Sequence, residues 1–133
     1  HDAGLGHGTW DATDKLAGKP SIQGLVTHAG RTGLFDDAVG RGWILISAID
    51  ASDQKLTDAQ LDRFAKAGGR VVTIGARKSG ASVLDINNTY AEWMNANGIS
   101  HMLVRPDYYI AGTASDSSGL QSMFDRVTGS LVK

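Results

Sequence analysis

Four histidines, a few adjacent carboxylates and no cysteine make up the reactive inventory of this 133-residue sequence. His1 could chelate copper through its amine and ring, with His7, His28 or His101 as a third nitrogen ligand. Such a brace would imply a secreted oxygenase. No signal layout is visible, no disulfide could protect the fold, and His1 stands in a glycine-rich arm, so accidental histidines and no metal site are the expectation. Gly4-Leu5-Gly6-His7-Gly8-Thr9 partly matches a dinucleotide fingerprint, but Thr9 occupies the place of the final glycine and no strand precedes it. Gly80-Ala81-Ser82-Val83-Leu84 lacks the closing glycine of a nucleophile elbow, which leaves Ser82 as a loop serine. Asp36-Asp37 has no glutamate or histidine nearby in sequence and reads as a solvated helix turn rather than an acid–base pair. Asn87-Asn88-Thr89 matches a glycosylation acceptor, to which a helix start in a chain expected to be cytoplasmic gives little meaning.

The elements that would position these residues follow from apolar periodicity and its punctuation. Residues 1–19 are dense in glycine, offer only Leu5, Trp10 and Leu16 for packing, and read as a linker or arm. A folded domain is expected over 20–133, opening with a short strand pair across Ser21–His28 and a glycine-bounded turn at Ala29–Gly33. Leu34 to Val39 suits one helical turn. Trp43–Ile49 is apolar except for Ser47 and predicts a strand buried on both faces. Thr57-Asp58-Ala59-Gln60 is a capping box, flanked by Leu56 and Leu61 at the staple positions. Leu61, Phe64 and Ala65 form the stripe of the helix that follows, and Gly68-Gly69 ends it.

Val71–Gly75 then predicts a strand parallel to the first, because a helix joins the two. Ile86, Tyr90, Trp93 and Met94 recur at helical spacing behind Asp85, and His101–Val104 is a third strand. Arg105-Pro106-Asp107-Tyr108 suits a type I turn into a returning strand from Tyr109 to Ala111. Leu120, Met123, Phe124, Val127 and Leu131 mark one face of a closing helix. From about residue 43 the order is β-α-β-α-β-β-α, that of a thioredoxin-like α/β core. The loop where such a fold carries its redox pair reads Asp50-Ala51-Ser52-Asp53, which has no thiolate to exchange disulfides. No proline stands between Gly98 and His101 either, so a peptide- or glutathione-binding site of the thioredoxin kind is unsupported.

Composition narrows function further. The chain is 41% apolar and 20% charged, as in ordinary globular domains, and no apolar run is long enough to span a bilayer. A net charge of −1 with scattered signs offers nothing to a phosphate backbone, so neither nucleic acid nor membrane is expected as a partner. The absence of cysteine suits a cytoplasmic location. A first residue of His1 rather than Met, with no signal peptide behind it, raises the expectation that the chain is part of a longer protein.

Two segments carry a family resemblance. Leu34-Phe35-Asp36-Asp37-Ala38-Val39-Gly40-Arg41-Gly42-Trp43-Ile44-Leu45-Ile46 and Leu103-Val104-Arg105-Pro106-Asp107-Tyr108-Tyr109-Ile110-Ala111-Gly112 resemble the carboxy-terminal domain of FAD-dependent aromatic hydroxylases, most of all the 3-(3-hydroxyphenyl)propionate hydroxylase branch. The similarity runs over roughly residues 18 to 133 in the family's order. It implies a thioredoxin-like appendage behind a larger region that uses FAD and NAD(P)H to place oxygen on a phenolic ring. No flavin or substrate motif of that family is found in this chain, so no catalytic, cofactor-binding or metal residue is carried over. Arg105, Asp107, Tyr108 and Tyr109 are expected instead to fix the hairpin and to touch the flavin-binding region or a second copy in a homodimer. Assembly or stability is the implied role. The alternative is a free-standing thioredoxin-fold module that binds a small molecule or protein.

Overall fold

The computed structural model describes residues 10–129, so Leu131 lies outside the described residues. Their centre is a seven-stranded sheet formed by β1 (Leu25–His28), β2 (Arg31–Leu34), β3 (Ile44–Ala48), β4 (Arg70–Gly75), β5 (Val83–Asp85), β6 (His101–Val104) and β7 (Ile110–Ala114). The strands lie in the order β2-β1-β5-β4-β3-β6-β7. The helices are α1 (Phe35–Ala38), α2 (Asp58–Lys66), α3 (Thr89–Ala96) and α4 (Ser117–Gly129), and a single 3-10 turn at Ile49–Ala51 follows β3. β3 runs parallel to β4 and antiparallel to β6, and β6 is antiparallel to β7. With α2, α3 and α4 these four strands make the thioredoxin-like core.

Strand alternation builds two cores, one on each face. Ile44 and Ile46 of β3 join Val72, Ile74, Met102 and Val104 in a cluster that α1 and α3 close with Phe35, Tyr90 and Met94. Trp43, Leu45 and Leu103 face the other way, toward Phe64 of α2 and Leu120, Met123, Phe124 and Val127 of α4. The capping box of α2 forms as its spacing predicts: the Thr57 hydroxyl accepts from the Gln60 amide, and the Gln60 side chain accepts from the Thr57 amide. Gln60 also ties α2 to α4, its amide group donating to the Gln121 carbonyl and to Asp125. Gln60 is therefore buried and Ala65 exposed, so the inward stripe of α2 is not the Leu61–Phe64–Ala65 set that apolarity alone suggests. Beyond α2, a Cβ on Gly69 would sit 2.4 Å from the Phe64 ring, which explains the second glycine of the stop.

Three local features differ from the sequence expectation. The turn between β1 and β2 is only Ala29-Gly30, both at positive φ as a two-residue hairpin loop requires, so Gly33 belongs to a strand. Val83–Asp85 forms β5, a three-residue strand too short to show a period, and it joins the hairpin to β4. Ile86 then stays exposed before α3 rather than starting it.

The stretch expected to be a loose arm up to Lys19 is, from Asp11 on, bonded to the outer edge of β7. Asp11 N donates to Ala111 O at 2.6 Å, Gly18 N to Ile110 O at 2.8 Å, and Ile110 N to Lys19 O at 2.8 Å. Asp14 accepts from both the amide and the hydroxyl of Thr113 at 2.6 Å. An edge strand left bare offers these groups to other chains, and here the arm takes them.

The two faces are covered unequally. α2 and α4 lie over β3, β6 and β7 and leave the same face of β4, β5, β1 and β2 open. Val71 pairs with Leu45 across β3 and β4, Thr27 with Leu84, and Leu25 with Leu34, so these side chains share that face by register. Leu25, Leu34 and Val71 are exposed by 41%, 42% and 47%.

Candidate functional site

β6 delivers the backbone into the 105–109 turn, where the Tyr108 amide donates to the Arg105 carbonyl at 2.8 Å. Arg105 is buried. Its Nε donates to Asp107 Oδ1 at 3.0 Å and its Nη2 to Asp107 Oδ2, a two-pronged pair. The guanidinium lies 5.4 Å from the ring centres of both Trp10 and Tyr109, within cation–π range. Asp107 Oδ1 also accepts from the Tyr109 amide at 3.2 Å, so one carboxylate fixes both the arginine and the backbone of the turn. Nη1 of Arg105 is buried without a partner.

Tyr108 does not belong to this surface. Its φ of +64° turns the chain so that the ring enters the first core, tilted against Phe35 with centres 5.4 Å apart. Its hydroxyl meets that of Tyr90 at 3.1 Å, and Tyr90 in turn donates to Ile22 O and accepts from Gly24 N. Burial pushes both phenols up, Tyr108 far above the usual range. The structure thus corrects the expectation of Tyr108 as an outward contact: of the two adjacent tyrosines only Tyr109 faces solvent.

Asp11 anchors the arm to α4. Burial alone would raise its pKa, but the Thr13 hydroxyl and amide and the Arg126 guanidinium together hold it below the usual carboxylate range. Asp11 is buried, and Arg126, far along the chain, donates to it through Nε at 2.9 Å.

A polar network on the opposite end of β6 was not legible in the sequence. His101 is fully buried, and its Nε2 donates to Gln54 Oε1 at 2.9 Å. That leaves Nδ1 to accept from the Ser47 hydroxyl at 2.8 Å. Burial lowers its pKa, with Asp116 opposing, so the ring is held neutral. Both nitrogens are engaged, which removes His101 from the set of copper ligands considered with His1, and His28 is bonded to Ser82 O at 2.8 Å. His1 and His7 lie outside the described residues. Among the described residues no three His, Asp or Glu side chains are placed to hold a metal ion, and no helix is long and apolar enough to cross a membrane.

The position of the thioredoxin redox loop is occupied by the 3-10 turn and by Ser52 and Asp53. Beside it, a cleft of about 630 Å³ opens between that turn, the end of β4 and the first turns of α3. Asp36, the first of the two adjacent acids, pairs with Arg41 at 2.7 Å on the surface.

Comparison with known proteins assigns this architecture. The model of the HcaD C-terminal domain matches residues 18–129. A probable NADH-specific resorcinol 4-hydroxylase of Rhodococcus jostii (strain RHA1) is 31% identical over 103 residues, which is 76% of this chain and 19% of that protein. Two solved structures share the fold. The flavin-dependent monooxygenase PieE, in complex with FAD and substrate, superimposes with a TM-score of 0.59 at 20% identity, over 99% of this chain and 24% of its own. Aklavinone-11 hydroxylase, with FAD and aklavinone, gives 0.53 at 22% identity, over 97% of this chain and 26% of its own. The chain therefore spans only about a fifth to a quarter of the length of these proteins. The chain therefore belongs to the HcaD C-terminal domain family and has its thioredoxin-like fold.

Proposed function

We propose that this chain is a non-catalytic domain of an FAD- and NAD(P)H-dependent aromatic monooxygenase of the 3-(3-hydroxyphenyl)propionate hydroxylase kind. In this reading it acts in the cytoplasm and serves assembly or stability by docking on the flavin-binding region. The observation that carries the reading is the open half of the sheet. A domain of this size leaves Leu25, Leu34 and Val71 in water on one face, while the relatives it matches are about four times as long. Interdomain interfaces typically cover ~600–1,500 Å², to which these four short strands would contribute an apolar part. The resorcinol 4-hydroxylase relative supports a phenolic substrate for the whole enzyme. A homodimer through the same face is the competing arrangement.

The test pairs this chain with the flavin-binding region of its enzyme, produced separately. The chain alone should be colourless and should oxidise neither NADH nor NADPH with a phenolic acid, because the fold alone confers no chemistry. Calorimetry should detect its association with the flavin-binding region, and Val71→Lys, placing a charge in the face, should weaken it at least tenfold. Yellow protein with stoichiometric FAD would refute the non-catalytic role. Unchanged binding of Val71→Lys would move the interface elsewhere, and a concentration-dependent dimer in sedimentation would favour the second copy.

A further inference from the structure

The cleft beside the 3-10 turn contains a carboxylate that the fold only half uses. Asp85 ends β5 and is buried. Its Oδ2 accepts the amides of Tyr90 and Ala91, both at 3.0 Å, and so closes the first turn of α3. Its Oδ1 is buried and has no hydrogen-bond partner. An ionised carboxylate is acceptor-only, with lone pairs on both oxygens, and a buried one without donors is under-satisfied. Asp85 lines the cleft, which also receives Asp50 from the turn after β3 and Glu92 from α3. Ser79, Asn88 and Asn95 add neutral polar groups, and no lysine or arginine is among the described residues that line it. The cleft lies outside the carboxyl ends of the parallel strands β3 and β4, where open α/β sheets bind ligands.

We propose that this cleft binds an organic cation, a guanidinium or ammonium head group whose N–H donates to Asp85 Oδ1 while Asp50 and Glu92 supply the surrounding negative charge. A metal ion fits less well, because the acidic groups are not placed to converge on one. A planar or tetrahedral nitrogen cation needs only one deep acceptor and a negative rim, and charge-assisted hydrogen bonds are the strong ones. Arg77 lines a smaller neighbouring cleft that Asp85 also lines, and it is the nearby internal cation to be tested as a competitor for the site. The head group could come from a free amine or from an arginine or lysine of the longer protein. Neither source depends on the open sheet face, which lies on the other side of β4 and β5.

The experiment titrates the chain with ethylguanidinium and with butylammonium, using butanol as the uncharged control, and follows the backbone amide resonances of Tyr90, Ala91 and Ala76. Saturable shifts with either cation and none with butanol are expected. Asp85→Asn keeps an oxygen for the α3 amides and should weaken binding about tenfold. Should that variant unfold, Asp50→Asn with Glu92→Gln leaves the helix cap intact and should weaken binding at least threefold. Arg77→Gln should tighten binding if its guanidinium competes. In the full-length enzyme, a cleft still open to the probes points to a free amine, and one closed to them points to an internal side chain. No saturable shift in the chain, or equal binding by wild type and both acidic variants, would overturn the proposal.

Discussion

The 105–109 turn and the cleft at the ends of β3 and β4 treat charge in opposite ways. At the turn, Arg105 and Asp107 consume one another: the two-pronged pair, the Tyr109 amide and two aromatic rings leave one guanidinium nitrogen, Nη1, without a partner. At the cleft, Asp85 spends one oxygen on a helix and keeps the other without a donor, next to two further acids. The turn has the appearance of a site in the sequence and is a structural clamp. The cleft has no motif at all. Proximity of opposite charges in sequence favours mutual satisfaction, whereas an unmet group arises where distant segments converge without matching partners.

If the turn is a clamp, its inner residues should matter to stability and its outer ones should not. Tyr108→Ala, which removes a buried ring and its hydroxyl partner, should cost about 3 kcal/mol, with Tyr109→Ala below ~1 kcal/mol. Urea denaturation of the pair reads the difference, and equal losses would break the distinction between the two tyrosines. Asp107→Asn leaves Arg105 buried without its counter-charge. Full burial would make this ~3–5 kcal/mol, and partial exposure of the carboxylate brings the expected loss to about 2 kcal/mol.

The His101 network offers a third way to hold a polar group, and pH tests it. Its pKa is lowered in the folded state, so between that value and the unfolded ~6.5 the unfolded chain binds more protons. This contribution is complete above pH ~6.5 and is lost as pH falls below it, by at most ~1.4 kcal/mol per pH unit. Denaturation midpoints of the wild type and His101→Gln at a series of pH values isolate it. A slope shared by both proteins would assign the dependence to other groups. The smallest effect belongs to the cleft: Asp50→Asn, at an exposed position, should change stability by no more than ~0.5 kcal/mol. A larger loss would make Asp50 part of the scaffold and would narrow the cleft's negative rim to Asp85 and Glu92.

Local rules were enough to specify much of the molecule. The Thr57–Gln60 box, the glycine stop after α2, the apolar run of β3 and the face of α4 depend on neighbours within one or two turns, and those neighbours are in the sequence. Apart from β5, the β-α-β-α-β-β-α order was legible from local signals of this kind. Tertiary structure alone decided the rest, because it depended on partners far along the chain. Asp11 to Lys19 carries no periodic signal, yet it is ordered by the unpaired edge of β7 about a hundred residues later. Tyr108 and Tyr109 are indistinguishable as residue types, and a left-handed φ together with packing against Phe35 and a hydroxyl contact to Tyr90 sends one inward. β5 is too short to have a pattern, and by its pairing it carries Asp85 beneath α3. His101 finds Ser47 and Gln54 only because antiparallel pairing sets β6 against β3. Hydrogen-bond satisfaction is settled in three dimensions, so the amino-acid order could name the groups while the fold chose which would be paired and which left waiting for a ligand.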